Sequence, residues 1–515
     1  MLACKTEKDE KNLVNSILSM EEFFDDKEEE ENNKINISNN KNDSKKSSKN
    51  NFINDSKIDD NDKFFGFEYI ESPKEVDFGD FRIIEQFSGF NPPTKNNKNK
   101  TDLINLLIIN KAYKSKHKKQ SIKSYITSIY YNKNSTKHKF NMETFKIPCY
   151  IYDSTLKEIL GDLDINYSFN AFLFMSYRSG FESLKNVGCG SYTSDCGWGC
   201  MLRCCQMMLS RGIIKRELYD SFGDKKKILS KSDMLNLKKD VLCLFGDSFI
   251  PFKELKHNRF LQNLYEKYKE KENDYELIPP YSIYTLCKLS KCSGVYTSDM
   301  KIIKSFVEIN EQLFKDEYRI VHFQNGIIQK KKLLETFCVK RELAKEEEKK
   351  VIINSLTNIE QDNIINTDEK DPLSWINIFD YYGEQYKFCL GGLVFISLRL
   401  GLRNLDESYY SIIPLLFQKF HNNIGFVSGK KNKAFYFIGI NGDNKLIYAD
   451  PHINQKVEND DILSYEIKDL YLLDIKELSS GITFGININN STDFKILIYE
   501  LQWFNKKYST IMTFK

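Results

Sequence analysis

Little in this 515-residue chain marks it for a membrane, for nucleic acid or for a disulfide-bonded scaffold. Its opening residues, MLACKTEKDEKN, lack the apolar stretch of a secretory signal. The longest strongly apolar run, near Cys389–Leu398, is too short to span a bilayer. Net charge is only +3, so no electrostatic case for nucleic acid or a membrane surface follows from the whole-chain balance. There are 12 cysteines, but no two are spaced C-x-x-C, and the 6 histidines stand apart from the cysteine clusters. Zinc ligation therefore lacks its usual spacing, and no metal or cofactor is expected. Without a secretion signal the thiols are expected to stay reduced. A soluble, cytoplasmic protein is the expectation.

The chain is long enough for two or three domains, and its polar residues are unevenly spread. Asp25–Asp62 is a run of Asn, Lys, Asp, Glu and Ser with too little apolar area to offset the entropy of ordering a backbone. Residues 1–140 are read as a low-complexity, largely disordered extension, with an apolar patch at Leu103–Ile109. Residues 141–515 are read as the folded part. Within it the stretch around 225–385 is charged and mixed, with a polar insertion around 340–370.

Ile147–Ile151 reads as a short strand, and Phe169–Tyr177 as an aromatic-rich helix leading to Arg178. From Cys200, the spacing of Leu202, Cys205, Gln206, Leu209 and Ile213 predicts a helix with one apolar face. Gly391–Leu400 reads as a buried strand, and Asp406–Phe420 as a helix. Ala434–Ile440 and Lys445–Asp450 read as strands joined by a turn at Asn441-Gly442-Asp443. Helices early and strands late predict an α+β fold.

The chemistry centres on Thr193–Cys205, TSDCGWGCMLRCC. Glycines on either side of Trp198 permit close backbone approach, and Cys200 follows directly at a helix start. There the unpaired N–H groups and the helix dipole favour a thiolate, which is the nucleophile. Cys204 and Cys205 lie a turn further on, where that effect has decayed, and Cys205 reads as a core residue. Cys196 falls in a loop, where exposure would open it to redox chemistry.

A thiolate needs a base, and the base an orienting group. Asp450-Pro451-His452 supplies both types, with Asp450 and His452 two apart and so on one face of a strand. Alone, D-P-H also reads as a turn ending a strand. An oxyanion needs donors, and the Cys200 backbone N–H is one. Tyr177 could offer another, although by sequence alone packing is the better account of it in a chain with 29 tyrosines.

TSDCGWGCMLRC, with YR upstream and YADPH downstream, resembles the autophagins, the autophagy cysteine proteases. SLRLGL at Ser397–Leu402, GKKNKAFYFIGI at Gly429–Ile440 and the C-terminal GITFGININNSTDFKIL extend the likeness over roughly Phe145–Phe514. The resemblance implies a papain-like α+β peptidase domain over 141–515 with a smaller inserted α/β subdomain around 225–385. It implies cleavage after the C-terminal glycine of a ubiquitin-like autophagy modifier and release of that modifier from phosphatidylethanolamine. Cys200 would be nucleophile, His452 base, Asp450 orienter and Tyr177 the oxyanion tyrosine, with no cofactor. The partner would be the modifier, free or lipid-conjugated, with transient access to membrane and no nucleic acid.

Where the family carries a tryptophan covering the site, this chain has Val295-Tyr296. Rival readings are a peptidase for the ubiquitin-fold modifier, which shares GWGC and D-P-H, and a catalytically weak modifier-binding adaptor. A transglutaminase-type acyltransferase would place His before Asp, the reverse of the order here. In the extension, Phe67–Ile70 and Phe81–Ile84 resemble the short motif that autophagy modifiers bind; packing on the core is the competing account.

Overall fold

Strands whose side chains alternate between two apolar surroundings build the centre of the protein. The computed structural model describes residues 103–113, 149–150, 171–222, 231–340, 386–430, 432–442, 444–457 and 462–515, all within one unit, Thr94–Lys515. The expectations for Asp25–Asp62, for Phe67–Ile70 and Phe81–Ile84, and for the polar insertion around 340–370 lie essentially outside these residues.

The chain opens with α1 (Leu103–Leu107), β1 (Ile108–Asn110), β2 (Cys149–Tyr150) and β3 (Tyr177–Ser179). The long helix α2 (Cys200–Phe222) and α3 (Lys231–Phe245) follow, then β4 (Ile250–Pro251), α4 (Gln262–Tyr268) and β5 (Tyr275–Leu277). Next come α5 (Ile283–Ser290), α6 (Asp299–Leu313), β6 (Arg319–Phe323), β7 (Ile327–Ile328), α7 (Lys330–Phe337) and β8 (Cys338–Lys340). The last part holds β9 (Tyr386–Phe388), β10 (Gly392–Asn404), α8 (Ile412–Lys419), β11 (Asn423–Lys430), β12 (Lys433–Asn441) and β13 (Lys445–Ala449). It closes with β14 (Asn454–Lys456), β15 (Tyr471–Asp474), β16 (Ser479–Ile488), α9 (Ser491–Tyr508) and β17 (Thr513–Phe514).

An 8-stranded sheet runs β15-β13-β12-β11-β16-β10-β6, with β2 added to β12. Its pairings are antiparallel except β10 with β6. Period-two alternation separates two cores. Leu393, Phe395, Tyr436 and Ile438 join the cluster around α2, while Val394, Ile396, Phe435 and Phe437 join α8 and α9 on the other face. The layout is helix, sheet, helix, and the α+β class holds.

Helix α2 packs on β11, β12 and β16 and is covered by α3 and α6. It is therefore buried all round rather than on one face: Met201, Cys204, Met207 and Met208 are as inaccessible as Leu202, Cys205 and Leu209. The helix expected at Phe169–Tyr177 is absent from 171–176, and Tyr177 opens β3. The backbone there bonds to distant partners instead: Leu173 N–H to Ser210 Oγ (3.1 Å), Phe174 N–H to the Tyr465 carbonyl (2.7 Å) and Tyr177 N–H to that of Pro451 (2.9 Å).

Two expected boundaries shift. Leu103 and Leu107 are buried, and β1 pairs with β5 in a small sheet with β4, so part of the extension drawn to residue 140 packs on the folded body. Strand β6 lies inside the span expected for an inserted subdomain, 225–385, yet it is the edge strand of the main sheet.

Candidate active site

The turn before α2 is shaped by Asp195. Its carbonyl accepts the N–H groups of Trp198 (3.2 Å) and Gly199 (2.9 Å), and the Trp198 indole donates to the Ser194 carbonyl at 3.1 Å. The Asp195 carboxylate accepts the Arg178 N–H (2.6 Å) and Arg203 Nε (2.7 Å), and Arg203 also pairs with Asp247 at 2.8 Å. A Cβ on Gly199 would lie 2.4 Å from Asp195 Oδ2, so only glycine lets the carboxylate pass this close. Cys200 is thereby delivered as the first residue of α2, 2% exposed.

Across from it, β13 ends at Ala449, and Asp450-Pro451-His452 lies in the loop leading to β14. Asp450 and His452 are thus not joined by a strand face. One carboxylate oxygen, Asp450 Oδ1, instead accepts both the His452 backbone N–H (2.9 Å) and Nδ1 (2.6 Å). With Nδ1 held, Nε2 is the nitrogen left for a thiol. The His452 ring is also fixed by Tyr177, edge-on at 5.3 Å, and by Phe435 at 5.4 Å. Tyr177 is held in turn, because β3 runs parallel to β14 with Tyr177 opposite Asn454. Cys200, His452, Asp450 and Tyr177, up to 275 residues apart, are brought together in one buried place.

Burial pushes the Cys200 thiol up, but the hydrogen bond to His452 and the charge on that ring pull it down. The Ala434 backbone N–H and the Tyr177 hydroxyl add hydrogen bonds, and the net shift is below the ordinary thiol value. Its neighbours go the other way. Burial, then the charge of Cys200, holds Cys204 well above that value; burial, then Asp299, does the same for Cys205. Cys196 is not exposed as a loop position suggested: it is buried, its thiol meets Asn454 Oδ1 at 3.0 Å, and burial, then Asp195, pushes it up to about 12. That is a poor setting for a reactive thiol.

Sequence reasoning missed Asp195, Arg203, Ala434, Phe435 and Asn454. An acidic residue five before the cysteine and an arginine three after it were a visible signal; the other three act only through β12 and β14. Val295 and Tyr296 lie in the turn between α5 and α6, both about half-exposed, and Tyr296 feels the charge of Cys200. Among the described residues no group of three or more His, Cys, Asp or Glu side chains could hold a metal ion.

The profile of the peptidase C54 catalytic domain matches residues 163–500. The chain is 25% identical over 335 residues to the cysteine protease ATG4B of Xenopus laevis, covering 63% of this chain and 71% of that protein. It is 24% identical over 302 residues to the cysteine protease ATG4A of Bos taurus, covering 56% and 59%. It is 24% identical over 339 residues to the cysteine protease ATG4b of Arabidopsis thaliana, covering 63% and 58%.

Proposed function

Because this chain belongs to the peptidase C54 family, and is a papain-like cysteine peptidase, we propose that Cys200, His452, Asp450 and Tyr177 form its catalytic centre. Its substrate is a ubiquitin-like autophagy modifier, cut after the C-terminal glycine. The observation that carries the assignment is His452, held by Asp450 at 2.6 Å through Nδ1, pulling a buried thiol below its ordinary pKa.

The Cys200 thiolate attacks the glycine carbonyl, and the C–S bond forms as the carbonyl electrons move onto oxygen. The Cys200 N–H at the helix start and the Tyr177 hydroxyl donate to that oxyanion. His452 passes its proton to the leaving amine, the C–N bond breaks, and a thioester remains. Water then attacks, His452 takes its proton, and the thiolate leaves. Asp450 keeps Nδ1 protonated through both steps. The same chemistry releases the modifier from phosphatidylethanolamine, whose amine is the leaving group. No helix among the described residues is long and apolar enough to cross a membrane. The reading puts the enzyme in the cytoplasm, meeting lipid-conjugated substrate from there.

The test offers the full chain three substrates: a C-terminally extended autophagy modifier, its lipidated form, and an extended ubiquitin-fold modifier. The first two should be cut and the third spared. Cys200→Ala should lose both activities. Tyr177→Phe should lower kcat by about 10- to 10³-fold with KM little changed. Turnover retained in Cys200→Ala overturns the assignment, and preference for the third substrate overturns the substrate class.

A further inference from the structure

Against Trp198, two residues before Cys200, the ring of Tyr192 sits in a socket that two glycines make possible. Gly190 and Gly294 both have φ in the left-handed region, +81° and +74°. A Cβ on Gly190 would stand 3.2 Å from the Tyr192 ring, and one on Gly294 would stand 2.1 Å from its hydroxyl oxygen. Across the ring lies Trp198, centroids 5.7 Å apart and tilted by 58°. The Tyr192 carbonyl accepts the Leu184 N–H at 2.9 Å, so the backbone under the ring is tied as well. Tyr192 is nevertheless 44% exposed, which makes a core-packing account incomplete.

The ring joins two parts of the site that are far apart in sequence. Trp198 belongs to the turn that delivers Cys200. Gly294 belongs to the turn between α5 and α6, closed by the Val295 N–H to the Cys292 carbonyl at 3.3 Å. The next residues, Val295 and Tyr296, are 56% and 51% exposed. Desolvation, then the negative charge of Cys200, pushes the Tyr296 phenol above the ordinary tyrosine range, so its hydroxyl feels that thiol.

We infer that Tyr192 is a positioning residue: it props the Gly294–Tyr296 turn against Trp198 and so sets the width of the entry through which the substrate's tail reaches Cys200. The inference rests on Cys200 being the nucleophile. It concerns approach to the thiol rather than bond making, so its effect falls on KM and on thiol access. An aromatic contact of this kind is worth about 2- to 12-fold in an equilibrium.

The experiment compares Tyr192→Ala, Tyr192→Phe, Gly294→Ala and the double Ala variant in the full chain. It measures kcat and KM for the extended modifier, the rate at which iodoacetamide alkylates Cys200, and the thermal midpoint. Tyr192→Ala should raise KM by about 2- to 12-fold at little cost in kcat, and should speed alkylation because the turn no longer closes over the thiol. Tyr192→Phe keeps the ring and should restore wild-type KM. Tyr192 and Gly294 act on one contact, so the double variant should be no worse in KM than Gly294→Ala alone. Unchanged KM and alkylation in Tyr192→Ala overturn the inference. So do additive effects in the double variant, or a KM loss that Phe does not rescue. Failure of the nucleophile assignment looks different: it appears as turnover in Cys200→Ala, while the alkylation readout at Cys200 still reports on the socket.

Discussion

A buried thiol does not ionise without help, and at Cys200 the help is specific. Burial alone raises a thiol's pKa, as it does at Cys204 and Cys205 one turn away on the same helix. Cys200 goes the other way because His452 lies against it, supported by Ala434 and Tyr177. Alkylation of Cys200 should therefore follow a titration centred below that of an ordinary thiol. As pH falls through the lowered pKa the thiolate takes up its proton, and reactivity is lost. In His452→Ala the two largest opposing contributions go while burial, Ala434 and Tyr177 remain, so the titration should move up from its native position. Iodoacetamide labelling rates across pH read both curves. A profile in the variant that coincides with the native one would show that the helix start, not His452, activates the thiol.

At the scale of elements, the site is a meeting of the start of α2 with the loop from β13 to β14, and each is shaped by a buried carboxylate. Asp450 folds its own loop by accepting two bonds from His452. Asp195 does the same for the turn before α2 and carries its charge into Arg203 and Asp247. Gly199→Ala tests this second arrangement. The added Cβ must displace the Asp195 carboxylate, which is buried and bound on its far side. Overpacking of this kind costs about 1–3 kcal/mol, read as a lowered unfolding midpoint. Because the strain falls on the residue next to Cys200, the proposed nucleophile, kcat should drop even where the variant is fully folded. A variant with native kcat would show that the turn absorbs the methyl group without moving Cys200.

Across the whole molecule, the folded body reaches further toward the N-terminus than composition suggested. Segment 103–113 buries Leu103 and Leu107, and β1 continues the small sheet through β5. The Leu107 carbonyl accepts the Ile278 N–H at 2.8 Å, and the Lys111 N–H donates to the Asp274 carbonyl at 3.0 Å. Burying two leucines contributes about 3–6 kcal/mol, as an upper bound. A chain lacking residues 1–113 should therefore unfold at a clearly lower midpoint than one lacking only 1–102. Equal midpoints for the two truncations would mean that this segment contributes nothing to stability.

The sequence by itself determined the class and the chemistry: alternating strands late in the chain, a cysteine placed at a helix start by Gly-Trp-Gly, and an Asp and His two residues apart. These are local patterns, and periodicity, turn residues and helix-start electrostatics act over a few residues. Tertiary structure decided what depends on distant partners. It drew the backbone of 171–176 out of a helix by bonding it to Ser210 and Tyr465. It closed Cys196 against Asn454, placed Tyr177 at the thiol through pairing with β14, and turned an apolar patch of the extension into part of the core. The reason is the same in each case. A backbone N–H, a thiol or a leucine is indifferent to sequence distance, and it settles where folding brings a bonding partner or removes water.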